Sequence, residues 1–205
     1  MFAPKLGDNQ LHFGGSLHWR NLGDPISLLR YRQRPFVHSV DTRFIDTKNI
    51  TDANEELTYG LEAAIIAGRF HIAGETHWAS VKRIGFVNPT FFGGAIEAGL
   101  FLTNDKLDYK GGIFKGVRVS KPVGDGGFGA VQLNMRYDRL DLNDGGIIGG
   151  IQDGYMASLI WTPVDYVRFM LNYGHLEYEK ALGIVAGAPN DFSVDVVAAR
   201  AQIAF

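Results

Sequence analysis

Apolar and polar residues alternate with a period of two along much of this chain, as in extended strands that show one apolar and one polar face. Between Leu11 and Arg20, one face carries Leu11, Phe13, Leu17 and Trp19, and the other His12, Ser16, His18 and Arg20. Leu57, Tyr59, Leu61 and Ile65 alternate with Thr58, Gly60, Glu62 and Ala64, and Phe70, Ile72 and Trp78 oppose His71, Glu75 and His77. Val131, Leu133, Met135 and Tyr137 are interleaved with Gln132, Asn134, Arg136 and Asp138. Val167, Phe169, Leu171 and Tyr173 oppose Arg168, Asn172 and Gly174. The last segment sets Val197, Ala199, Ala201, Ile203 and Phe205 against Arg200 and Gln202. The pattern predicts about nine strands, near 10–20, 36–47, 56–67, 69–82, 91–103, 128–142, 153–163, 165–178 and 193–205.

Length decides between the two architectures that such strands allow. Strands of ordinary sheets cluster near 5–6 residues, whereas a tilted strand that crosses a bilayer needs roughly 9–11. Most of the segments run to ten residues or more, which favours an all-β, antiparallel transmembrane β-barrel over a soluble sandwich. Trp19, Trp78, Trp161, Tyr155 and Tyr173 then read as girdle residues at the membrane interfaces. The connections add a direction. Ala67-Gly68-Arg69 and Thr162-Pro163-Val164-Asp165 are tight turns, which outer-membrane barrels place on the periplasmic side. The longer segments 46–55, 83–90, 143–152 and 179–192 are then extracellular. Segment 104–124 falls on the periplasmic side, is too long for a plain turn, and carries Lys106, Lys110, Lys115, Arg118 and Lys121. Long connections where short ones are expected are often functional, and this one is expected to fold into the lumen.

Bulk composition fits a barrel without proving one. Hydrophobic residues make up 46% of the 205 residues, and mean hydropathy is −0.03, as expected when lipid-facing and lumen-facing positions alternate. The chain has 26 Gly, 14 Phe, 8 Tyr and 3 Trp, a pairing that suits twisted strands and interface belts. Without cysteine there is neither a disulfide nor a thiolate metal site. A net charge of −2 argues against nucleic acid as a partner, and no apolar run is long enough for a transmembrane helix. Met1 to Gln10 has neither a basic region nor a long apolar stretch, so no signal peptide is visible. The expectation is a mature fragment, or a gene that lacks its first half.

Arg30, Arg32 and Arg34 are the sharpest local feature. At spacing two in an extended segment, three guanidiniums point the same way and, in a lumen, would hand an anion from one to the next. The planar fork of arginine grips phosphate oxygens in pairs and stays charged, and charged rings set anion selectivity in pores. The competing reading is a solvated basic turn, with Pro35 marking a strand start.

Several stretches resemble the phosphate-selective porin family (porins O and P). They are Arg30-Tyr31-Arg32-Gln33-Arg34-Pro35 with Thr42-Arg43-Phe44-Ile45-Asp46-Thr47, Tyr59-Gly60-Leu61-Glu62-Ala63, Phe101-Leu102-Thr103, and Tyr137-Asp138-Arg139-Leu140-Asp141-Leu142. Met170-Leu171-Asn172-Tyr173 and the closing strand add to the match, which corresponds to the C-terminal half of that family. The resemblance implies part of a sixteen-stranded, homotrimeric outer-membrane porin of a Gram-negative cell, passing phosphate or other small anions by diffusion. It implies a lumenal arginine ladder on Arg30, Arg32 and Arg34, with Arg43 as a further rung. It also implies an inward-bent periplasmic segment that lends lysines, for which Lys110 and Lys115 are the candidates. Asp105, Asp108 and Asp125 dilute that positive field. Terminal Phe205, closing an amphipathic strand, looks like the signal read by the barrel assembly machinery. Outer-membrane lipid and lipopolysaccharide are the expected surroundings. About nine strands do not close a sixteen-stranded barrel, and each unpaired backbone group in lipid costs several kcal/mol.

Other constellations carry less. Gly124-Asp125-Gly126-Gly127-Phe128-Gly129 opens a strand rather than a helix and lacks the lysine of a phosphate-cradling loop. His71, Glu75 and His77 share a face but are spread too far along it to hold one ion. Ser158 and Ser80 have no catalytic motif around them. No enzyme activity, metal or cofactor is expected. The alternative function is a β-rich outer-membrane scaffold or a soluble binding protein without a pore.

Overall fold

In the computed structural model, which describes residues 1–23, 29–37, 39–183 and 187–204, the alternating segments become long antiparallel strands. In chain order the strands are β1 (Lys5–Leu6), β2 (Asn9–Asn21), β3 (Arg32–Gln33), β4 (Ile45–Asp46), β5 (Ala53–Ala67), β6 (Phe70–Arg83) and β7 (Thr90–Phe101). Then come β8 (Leu107–Lys110), β9 (Ile113–Val117), β10 (Ala130–Asp144), β11 (Ile147–Val164), β12 (Val167–Glu179) and β13 (Phe192–Ile203). Nine of them form one sheet in the order β1-β2-β5-β6-β7-β10-β11-β12-β13, and β3-β4 and β8-β9 are separate two-stranded ladders. Apart from the short β1, the sheet is an up-and-down meander of eight long strands. Among the described residues it does not close on itself.

Register fixes the two faces. Leu61, Thr76, Gly94 and Arg139 lie in one cross-strand row, and Glu62, Glu75 and Ala95 in the next. Because successive side chains point to opposite faces, every long strand shows the same division. One face carries Leu17, Trp19, Leu61, Ile96, Met135, Leu159, Leu171 and Val197, all exposed. The aromatic residues of this face gather into two belts. Tyr59 stacks on Trp78 at 5.4 Å between ring centroids and Trp78 meets the tilted ring of Phe92 at 5.6 Å, and Phe128, Trp161 and Phe169 stack in sequence at 5.4 and 5.5 Å. From Phe70 to Trp78 along β6 is about 26 Å at some 3.3 Å per residue, the scale of a membrane's apolar band. Trp19, Trp78, Trp161, Tyr155 and Tyr173 all lie on this face.

The opposite, polar face is covered by two inserts. The tight turns at 68–69 and 165–166 share one end of the sheet with the long connection 102–129. The connections 22–52, 84–89, 145–146 and 180–191 share the other end. Two expectations need correction there. Segment 36–47 is not a sheet strand, for β2 pairs directly with β5; among its described residues only Ile45–Asp46 forms a strand, and it pairs with Arg32–Gln33. Phe36, just after Pro35, sits at a φ of 56°, which ends any extended run. Segment 143–152 is not a loop either. The chain reverses through Gly145 and Gly146 alone, both at positive φ, as a two-residue hairpin turn requires, and β11 starts at once.

The core lies between the first insert and the sheet. Ile45, Ile50, Ala53, Val81, Phe91, Leu142, Leu176 and Tyr178 are buried there, with Tyr31, Phe36 and Phe44 against them. Gly154 and Gly174 provide the seat for Phe36: a Cβ on Gly174 would stand 3.0 Å from its ring, and one on Gly154 would be closer still. A smaller cluster of Phe101, Val117, Val119 and Ala130, with Leu107, roots the second insert at the other end.

Candidate functional site

The first insert is a narrow ladder laid across the polar face. Tyr31 and Thr47 are joined twice, by Thr47 N–H to Tyr31 O at 2.9 Å and Tyr31 N–H to Thr47 Oγ1 at 3.0 Å. Ile50 N–H donates to Leu29 O, and the Tyr31 hydroxyl donates to Glu56 on β5. Burial first, and then the Glu56 carboxylate, push the Tyr31 phenol well above its ordinary value, so it stays a donor.

The three arginines separate in this frame. Arg30 clasps Asp46 in a two-pronged pair, Nε reaching Oδ1 at 2.7 Å and the terminal nitrogen reaching Oδ2. The Asp46 side chain is almost fully buried. Burial raises its carboxyl, but hydrogen bonds from Arg30 and from the Lys48 amide outweigh burial, and it ionises below the usual carboxylate range. Arg30 is therefore engaged in holding the insert together. Arg32 is exposed, and no carboxylate among the described residues lies within ion-pair reach of it. Arg34 pairs with the exposed Asp41 at 3.2 Å, and its Nε is buried without a partner among the described residues. Arg43 bonds the backbone oxygens of Asp41 and Thr42 at 2.9 and 3.1 Å. Burial, followed by the positive charges of Arg34 and Arg32, holds the Arg43 guanidinium below the ordinary arginine value. The charges of Arg34 and Arg32 thus oppose that of Arg43, against the partial offset of Asp41 and Asp46.

The second insert, β8-β9, crosses the same face. At one side Gly116 lies beside Arg168 of β12, and at the other Tyr109 meets His12 of β2. His12 sits between two partners, Tyr109 at 2.5 Å on Nδ1 and Glu62 at 2.9 Å on Nε2. A neutral ring satisfies both by accepting from the phenol and donating to the carboxylate. The base of the insert is tied by Asp105, which accepts from Thr103 and from the Ser120 amide, and by Asp165, which accepts from the Val119 amide. Lys106, Lys110 and Lys115 project from it, exposed.

Beneath the inserts the wall is acidic, which sequence reading had not brought together. Arg136 is surrounded by Glu97 at 3.5 Å, Asp138 at 3.6 Å and Glu75 at 4.0 Å. Alternation had placed Glu62, Glu75, Arg136 and Asp138 on polar faces, but only strand register shows that they are neighbours. His71 and His77 do not converge: His77 stands 3.7 Å from Glu75, while His71 is buried beside Gly99 and Asn134. The glycine-rich stretch 124–129 is a turn leading into β10. Phe205 lies outside the described residues.

Comparison with known proteins agrees with this architecture. The family described as phosphate-selective porin O and P matches residues 1–205. An uncharacterized protein of Caulobacter vibrioides is 50% identical over 206 residues, covering 100% of this chain and 41% of that protein. The chain thus spans about two fifths of the length of the curated relative it matches.

Proposed function

Because the chain belongs to the phosphate-selective porin O and P family, an outer-membrane porin family, we propose that it forms part of a diffusion path for small anions, with phosphate or polyphosphate preferred. The observation that carries this reading is that Arg32 and Arg34, on an insert lying across the polar face, are poorly neutralised: among the described residues no carboxylate lies within ion-pair reach of Arg32, and Arg34 pairs with the fully exposed Asp41 at 3.2 Å while its Nε is buried without a partner. Guanidinium forks in such a place bind phosphate oxygens in pairs. Arg30 acts as the clasp that positions the other three. Lys110 and Lys115 extend the positive surface from the second insert, which narrows the lumen from the periplasmic side. The apolar face meets outer-membrane lipid and lipopolysaccharide, and a closed barrel assembles as a trimer. Phe205 serves recognition by the assembly machinery.

Single-channel recording tests the reading. In chloride, added phosphate should block the current, and the double substitution Arg32→Ala with Arg34→Ala should raise the blocking concentration at least about tenfold, since hydrogen bonds to charged groups are worth roughly 1.5–3 kcal/mol each. Block that survives both substitutions would place the anion site elsewhere.

A further inference from the structure

The arginines carried by the long strands are not all engaged. Arg20 pairs with Glu56, Arg136 with Glu75, Glu97 and Asp138, and Arg139 with Asp153. Arg83 bonds the backbone oxygen and the hydroxyl of Thr51. Arg168 of β12 and Arg200 of β13 differ: among the described residues no carboxylate lies within ion-pair reach of either. They are also neighbours. Arg168 is the register partner of Gln202, and Met170 that of Arg200, in rows that alternate with the Phe169–Ala201 row of the apolar face. Both arginines therefore project onto the polar face as a diagonal pair, a separation that long side chains bridge.

Charge is sorted between the two faces at this side of the sheet. The carboxylates of β11, β12 and β13 are Asp153, Glu177, Glu179 and Asp195. Register places all four on the apolar face, in the rows Asp153–Glu177, Ile151–Glu179 and His175–Asp195. The polar positions that these strands turn inward, Gln152, Ser158, Thr162, Asn172 and Gln202, are neutral. On the inward face, then, the charge of Arg168 and Arg200 meets no acid on its own strands or on β11, in contrast to the acidic wall of β5, β6, β7 and β10. A lipid headgroup is not the natural partner, because Phe169 and Ile203, at the same level, point the other way.

The second insert leaves the pair open. Gly116 of β9 passes beside Arg168, where a Cβ would stand 3.4 Å from Nη2, and a longer side chain would cover the guanidinium. Gly116 is not at positive φ, so no turn requires glycine there. A glycine inside a strand often marks the close approach of a ligand or of another chain segment. Two adjacent guanidinium forks can hold the oxygens of one phosphoryl group from two sides.

We propose that Arg168 and Arg200 form a second phosphate-binding site, at the rim that carries the second insert. It takes inorganic phosphate or a terminal phosphoryl group, and it fills independently of the first insert. From Tyr178, which packs on Phe44 of that insert, to Arg168 is about 33 Å along β12 at some 3.3 Å per residue, too far for one phosphate to touch both places. This rests on the reading of the polar face as the wall of an anion path.

The test uses the whole chain folded in a phosphate-free detergent and titrated with inorganic phosphate, with backbone amide shifts read by NMR. The Gly116 and Gln202 amides should move along one saturating curve. Arg168→Ala with Arg200→Ala should raise the phosphate concentration at its midpoint at least about tenfold. Arg32→Ala with Arg34→Ala removes the same number of charges and should leave that curve in place. Amides at Gly116 and Gln202 that do not respond, or a curve that survives loss of Arg168 and Arg200, overturn the proposal. A curve weakened equally by both double substitutions reports net charge rather than a site and overturns it too. The Tyr31 and Thr47 amides report separately on the first insert, so the anion reading of Arg32 and Arg34 stands or falls on their response alone.

Discussion

At Asp46, burial and hydrogen bonding pull the carboxyl in opposite directions, and the hydrogen bonds prevail. The sign of the pH effect follows. A group whose folded value lies below its unfolded one stabilises the fold fully above the unfolded value, about 3.9 for aspartate, and that contribution is lost as pH falls through the depressed folded value. Acidification below about pH 4 should therefore loosen the first insert before the sheet. Hydrogen exchange at the Thr47 and Ile50 amides, which bond Tyr31 and Leu29 across the ladder, would report it; Arg30→Ala should expose the same amides at neutral pH, and unchanged protection in both cases would remove Arg30 from this role. The spacing of Arg30, Arg32 and Arg34 was legible in the sequence, but their division of labour was not. Asp46 lies sixteen residues after Arg30, and only the short β3-β4 ladder brings the pair together.

At the scale of elements, alternation located the eight long strands to within three residues at every end except the start of β11, which lies six residues earlier than expected, because each strand shows one apolar and one polar face over ten or more positions. It failed where the chain is shaped by docking rather than by pairing. Phe36, Phe44 and Ile45 fall in the segment 36–47 expected as a strand, yet they serve to seat an insert on the sheet. Gly149 and Gly150 looked like loop residues but belong to β11, and they are small because Leu142 and Thr47 press on the first and Ile45 on the second: a Cβ at Gly150 would stand 2.7 Å from Ile45 Cγ2. Glycine marks close approach as readily as a turn. Leu142, buried beneath this insert, should therefore be costly to truncate. Leu142→Ala is expected to lower the unfolding free energy by about 2–4 kcal/mol, as for other buried leucines. Urea titration of the lipid-reconstituted protein measures it, and a loss under 1 kcal/mol would mean that the insert does not pack as described.

Across the whole molecule, two solvents are implied by two faces. Leu171, exposed on the apolar face between the Phe169 and Tyr173 rings, is placed to face hydrocarbon. Leu171→Arg should cost about 2–4 kcal/mol in a bilayer and much less in detergent micelles, where charged side chains reach water easily. An equal penalty in both media would argue that this face packs against protein. The polar face was only half visible beforehand: its cations form runs along the chain, while its carboxylates come from β5, β6, β7 and β10 and meet only across strands.

The outermost long strands, β2 and β13, run in opposite directions, since the seven reversals of an eight-stranded meander leave the first and last strand antiparallel. That fixes a parity. Whatever seals the gap between them, whether further chain or a neighbour, keeps every pairing antiparallel only by adding an even number of strands. β2 also begins, and β13 finishes, at the same rim of the sheet. Any polypeptide that continues from either side thus starts its first crossing from that rim, and a complement with an odd count would force one parallel seam into an otherwise uniform weave.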